Sequence, residues 1–137
     1  MKPQLLLLSV LSVALTGCAQ TLPEHDNRIF TAVPVAKLSS IDLAQAFATD
    51  SAAAAGRFVG KAIDVSGIVR DLKPTETGLG TAFLLAAGDG PTHVRVSLHE
   101  DRAVEIAKGL VNGQRATFRC FCEGVTDHIQ LKSCVVP

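Results

Sequence analysis

Tryptophan and tyrosine are absent from this chain, and six phenylalanines are its whole aromatic complement. Flat side chains on which bases, sugars or quaternary amines could stack are therefore scarce. Net charge is absent too: thirteen Lys and Arg face thirteen Asp and Glu across 137 residues. No general basic field exists to hold a polyanion, and there is no acidic tail. Catalytic signatures are missing as well. Ser, His and Asp occur, but without a G-x-S-x-G elbow, an H-E-x-x-H pair or a Walker loop, and Gly78-Leu79-Gly80 and Gly88-Asp89-Gly90 read as turns. Neither catalysis nor a cofactor is expected. What is present, 47% apolar residues with eleven Gly and six Pro, fits one folded domain rather than a disordered chain.

The first residues are not part of that domain. Lys2 precedes an apolar run from Leu5 to Ala14, which is too short to cross a ~30 Å hydrocarbon core as a helix, since crossing takes roughly twenty residues. The order reads as a secretory leader. Leu15-Thr16-Gly17-Cys18 resembles the lipobox of bacterial lipoproteins, which implies cleavage after residue 17 and acylation of Cys18. Each buried CH₂ of such chains adds ~0.8 kcal/mol of membrane affinity, so up to three chains, palmitate among them, anchor a protein firmly. By the same resemblance, Ala19 after the cysteine implies sorting to the outer membrane of a two-membrane cell, facing the periplasm. Removing 17 residues from 137 leaves 120, an ordinary single domain. The division expected is a leader over 1–17, a lipidated N-terminus and tether over 18–38, and a folded domain over 39–137.

Within the domain the periodicities are clear. Ser39 or Ser40 caps one helix of about residues 40–55, with Asp42 in its first turn and Gly56 behind it. From Gly60 the period becomes two, with Ile63, Val65, Gly67 and Val69 on one face. A turn-rich loop, 74–80, leads to a second apolar strand from Thr81 to Ala87. The third strand alternates Val94, Val96 and Leu98 against His93, Arg95, Ser97 and His99. Glu100–Leu110 is a short helix stopped by Asn112-Gly113. Two further strands follow, one with Ala116, Phe118, Cys120 and Cys122 on a face, the other over 129–136. Five short strands with a helix between the third and fourth is the connectivity of an OB-fold, a mainly β, partly open Greek-key barrel. The alternative is a small open α+β sheet, which would leave edges exposed.

Phe58-Val59-Gly60-Lys61-Ala62-Ile63-Asp64-Val65-Ser66-Gly67-Ile68-Val69, preceded by a helix with Phe47 and an alanine cluster, resembles the opening of the tRNA-anti-like family of OB-fold proteins. Gly109–Gly113 before a strand ending Cys122-Glu123-Gly124, then Leu131-Lys132-Ser133-Cys134, resemble its last hairpin. The likeness spans roughly residues 40–136. The resemblance implies an OB fold and, among secreted or lipid-anchored members, no set task. Cys120 stands where such sequences usually have glycine. With Cys18 acylated, three cysteines remain for an oxidising compartment, which leaves one disulfide and one odd thiol. The resemblance implies Cys122 with Cys134. A plain hairpin with Phe118 opposite Leu131 separates those two by more than the ~7 Å between Cα atoms that a disulfide allows. A bulge near Lys132-Ser133 would turn Cys134 inward and change the register.

Three readings of the domain's task follow. The first is a lipid-anchored, non-enzymatic binding module for an envelope protein or small ligand. The second is an oligonucleotide or other polyanion binder using Arg95, Arg115, Arg119, Lys132 and His93, of which Arg115, Arg119 and Lys132 form an outward stripe on the last hairpin. Lack of aromatics makes nucleic acid the weaker partner. The third is a metal site from Cys120, Cys122, His128 and Cys134, although C-x-C-x₅-H-x₅-C lacks the usual C-x₂-C knuckle and no metal is expected. Cys122 and His128 as nucleophile and base lack an orienting third group.

Overall fold

The segments of period two fold as strands, and those of helical period as helices, in a computed structural model that describes residues 25–73, 82–90 and 92–137. The leader, Cys18, the 74–80 loop and Thr81 lie outside those residues. The elements are β1 (Lys37–Ser39), α1 (Ser40–Thr49), α2 (Ser51–Phe58), β2 (Ala62–Arg70), β3 (Ala82–Leu85), β4 (Val94–Leu98), α3 (Glu100–Lys108), β5 (Arg115–Val125) and β6 (Ile129–Val135). Strands β2, β3 and β4 form an antiparallel meander, β6 lies parallel to β4 and antiparallel to β5, and β5 returns to pair with β2. The circle is closed. Five strands in this order, with α3 between β4 and β5, make an OB-fold barrel. Its interior is filled by alternate residues of every strand, among them Ile63, Val65, Val69, Phe83, Leu85, Val96, Phe118 and Leu131.

The N-terminal helix is two helices, not one. Asp50 adopts an extended backbone, its N–H ends α1 on the Ala46 carbonyl, and its carboxylate accepts from Ala53 N at 3.0 Å to begin α2. A short acceptor that can bond the backbone ahead of it competes with helix continuation, and here it wins. Helix α2 then runs through Gly56 to Phe58, whose ring is buried in the core. Where α1 begins, Ser40 donates to the Ala86 carbonyl at 2.6 Å. That contact requires Gly67, because a Cβ there would run into the Ser40 side chain and lie 3.1 Å from Leu85 Cβ.

Residues 25–38, expected to be tether, are instead folded onto the barrel. A 3₁₀ turn at Asn27–Phe30 buries Ile29 against Ala62 and Val135. Strand β1 adds a sixth, short strand parallel to β2. Asp26 N donates to Ser133 Oγ at 2.7 Å, and His99 Nε2 and Asn27 Oδ1 are hydrogen-bonded at 2.9 Å. A segment with one proline and no sustained periodicity gains its shape from these tertiary partners, which no local pattern announces.

The cysteine pairing differs from expectation. Leu131 lies opposite Cys122, not Phe118, and beyond Lys132 a bulge shifts the register so that Val135 faces Arg119. Ser133 holds the bulge with φ of 56°, a left-handed conformation. The bulge thus falls where the sequence suggested, but it sets Cys134 against Cys120. The disulfide is Cys120–Cys134 rather than Cys122–Cys134. Cys122 remains a free, buried thiol.

On the outer side of the β2–β5 seam, Arg119 donates from Nε and Nη2 to the two carboxylate oxygens of Asp64 at 2.8 and 3.1 Å, and from Nη1 to the Ala32 carbonyl at 3.4 Å. Asp64 is 5% exposed. The fork-to-carboxylate geometry raises the Arg119 pKa still further through its hydrogen bonds to Asp64. Substituting Arg119→Ala leaves a buried carboxylate alone, so urea unfolding is expected to show a loss of about 3 kcal/mol. Cys134→Ala opens a disulfide loop with a sequence separation of 14, which corresponds to about 3 kcal/mol in the chain-entropy account. Non-reducing peptide maps should link the 120 and 134 peptides and leave Cys122 alkylatable only after unfolding.

Candidate ligand-binding cleft

Strand β4 turns Val94, Val96 and Leu98 into the barrel, so Arg95 and Ser97 face out. Arg95 is exposed and stands between Leu84 on β3 and Gln130 on β6. Beside it, Asp71 at the end of β2 and the β5–β6 turn at 126–128 close a cleft of about 280 Å³ lined also by Ala82, Leu84, Asp127 and His128. Asp71 has φ of 53°, a left-handed turn that aspartate tolerates better than most residues.

The turn is built from its own hydrogen bonds. Thr126 Oγ1 and His128 N both donate to Asp127 Oδ1, at 2.8 and 2.9 Å, which holds the Asp127 carboxyl below the usual carboxylate range. Gln130 Nε2 donates to Thr126 Oγ1 and to the His128 carbonyl. The His128 ring stacks on that of His93 with centroids 5.9 Å apart and planes 15° off parallel. His93 N donates to His128 Nδ1 at 3.1 Å, and Ala87 N to His93 Nδ1 at 3.4 Å. Both imidazoles therefore accept through Nδ1 and keep a proton on Nε2 as a donor. The cleft thus offers a guanidinium fork, the His128 imidazole, two carboxylates and an apolar floor at Leu84.

The other expected ligand residues do not gather here. Arg119 is engaged with Asp64, and Lys132 Nζ lies 3.0 Å from Glu123 Oε1. Arg115 is exposed on β5, across from Ile68 of β2 and away from Arg95. The outward basic stripe of Arg115, Arg119 and Lys132 is consequently not a free cationic surface: two of its three charges are neutralised within the fold. The metal reading also loses its ligands. Cys120 and Cys134 are spent in the disulfide, Cys122 is inside the barrel, and His128 uses Nδ1 on the backbone. Sequence reasoning missed Asp71 and Asp127 as cleft residues. A carboxylate in a turn is so common that only the closing of two distant loops on one face reveals it.

A second concavity of about 490 Å³ lies between α1 and the β3–β4 and β5–β6 ends, lined by Ile41, Ala44, Phe47, Ala48, Val125 and Ile129 with Gln45, Ser51 and Thr92. It carries no charged side chain and offers little to orient a polar ligand.

Burial pushes the Cys122 thiol up to about 11 from a usual value near 9. A raised thiol pKa means the neutral form is what the fold favours, so its contribution is complete below pH 9 and is lost as pH rises through 11. Melting temperatures are expected to fall between pH 9 and 11, and the fall should be shallower in Cys122→Ala.

The family model described as tRNA_anti-like matches residues 3–135 of the chain. No curated protein matches it. Among solved structures, a candidate nucleic acid-binding lipoprotein from Klebsiella pneumoniae subsp. pneumoniae is similar in fold, with a TM-score of 0.60 and 17% identity over 82% of this chain and 97% of that one.

Proposed function

We propose, proceeding from the fact that the chain belongs to the tRNA_anti-like family of OB folds, that it is a non-enzymatic binding module held in the cell envelope by lipid on Cys18 and facing the periplasm from the outer membrane. The lipobox residues Leu15-Thr16-Gly17-Cys18 support the anchor, and the fold neighbour is described as a candidate lipoprotein. One observation carries the choice of ligand. Arg95 shares its cleft with Asp71 and Asp127, so the site presents both signs of charge beside an apolar floor at Leu84. A polyphosphate would meet carboxylates there and be repelled, whereas an extended protein segment carrying both an acid and a base finds a partner for each.

Oligonucleotide binding is the second reading, favoured by the description of the Klebsiella neighbour. The two separate by salt. Neutralised phosphates make log K fall with log salt by about 0.7 per phosphate on a single strand, whereas a mixed-charge protein contact changes far less. Anisotropy of a labelled single-stranded oligonucleotide at about 0.15 M salt is expected to show no saturable binding. In cells, p-benzoylphenylalanine at Gln130 should give a discrete crosslinked protein band that Arg95→Ala or Asp127→Asn weakens. A saturable, salt-steep oligonucleotide isotherm abolished by Arg95→Ala would replace the protein-partner reading with the second one.

A further inference from the structure

Among the described residues nine large apolar side chains are exposed, and three of them, Phe30, Val33 and Val35, fall within one stretch of six residues. From Thr31 to Lys37 burial alternates, with the odd-numbered residues outward. That parity leaves Val33 84% and Val35 59% exposed, and Phe30 just before them is 41% exposed. Val136, 56% exposed, lines a groove with Phe30 at the same end of the barrel. Single exposed valines are ordinary, but a run of them on one short segment marks a surface that meets something apolar.

The chain itself says what. The strap begins at His25, held where the His25 ring meets His99 and Nδ1 accepts from Glu100 N at 3.2 Å. It lies seven Cα-to-Cα steps after Cys18, a reach of at most about 25 Å at ~3.6 Å per step. A domain of this size has a radius of gyration of about 13 Å, so an acylated Cys18 keeps the strap within about one domain width of the lipid. At the effective concentration such a tether provides, on the order of millimolar, a patch too small to hold a free domain can hold a tethered one.

We propose that the strap from Phe30 to Val35 is the surface on which the anchored domain rests against the bilayer interface, a proposal that rests on the lipid-anchor reading of Cys18. The partner is the boundary between headgroup and acyl chain rather than an anionic lipid. Charges around the strap are of both signs: Arg28 pairs with Asp26, His25 lies 3.8 Å from Glu100, Arg102 stands over the Phe30 ring with Asp101 and Glu105 on the same helix, and Lys37 ends the outward row. Docking also orients the ligand cleft. His99, against which Phe30 packs, and His93 flank opposite ends of β4, about 20 Å apart at ~3.3 Å per residue, so the β5–β6 turn beside His93 lies at the far end of that strand from Phe30.

The test uses the full-length, membrane-extracted protein in phosphatidylcholine vesicles, with p-benzoylphenylalanine at Val33 or, in a second variant, at Asp127. Intact mass reads acylation of Cys18 and photo-adducts together. Lipid adducts on the position-33 variant at ten-fold or more the yield of the position-127 variant are expected, and 20% phosphatidylglycerol should leave the ratio unchanged. Acylated protein with no adduct at position 33, equal adducts at both positions, or adducts only at position 127 overturns the docking surface while the anchor stands. A chain without acyl mass overturns the anchor and the docking surface with it.

Discussion

The seam between β2 and β5 is the constraint on which everything else depends. Seven residue pairs, from Ala62 opposite Phe121 to Ile68 opposite Arg115, join strands more than forty residues apart in the chain. Without it the sheet has two open edges and no interior. With it, alternate residues of five strands enclose one core, and the polar groups of both strands find partners. The seam is reinforced outside by the Asp64–Arg119 pair and the Ser66–Thr117 hydroxyl contact at 2.7 Å, and inside by Ile63, Val65 and Phe118. The disulfide extends the same reinforcement to the β5–β6 side, because Cys120 sits on the strand common to both.

Much of this was legible from the residues. Alternation identifies β2 and β4 because one face of each is apolar and the other is not, and the helix stop at Asn112-Gly113 separates α3 from β5. The resemblance then joins the pieces into an OB fold. What alternation cannot supply is register. The last hairpin carries irregularities in both strands, one between Cys122 and Gly124 and one at Ser133. Each moves the pairing by one residue, and a pairing guessed from hydrophobic residues alone lands four positions away. The cysteines inherit that error. The 25–38 strap was illegible for a different reason: its stability lies in contacts with residues about a hundred positions later, such as Ser133 for Asp26.

Charge shows the same limit. Arg95, Arg115, Arg119 and Lys132 look alike along the chain, each facing out from a strand. In the fold one is exposed in a cleft, one is exposed elsewhere, one is locked to a buried carboxylate and one is paired with Glu123. An outward parity tells where a side chain leaves the sheet, not what meets it there. The cleft carboxylates were missed by the converse route, since Asp71 and Asp127 sit in turns that sequence explains by backbone preference alone.

The position of β6 carries one more consequence. It lies between β4 and β5 and is parallel to the former, so the circle of strands stays broken until residues 129–135 are in place. Synthesis from the N-terminus delivers that strand after all the others. The strap and the hydrophobic faces of β2, β3 and β4 are complete long before the barrel has a wall to close. Making the parts of the barrel and closing it are thus separated in time by the topology itself.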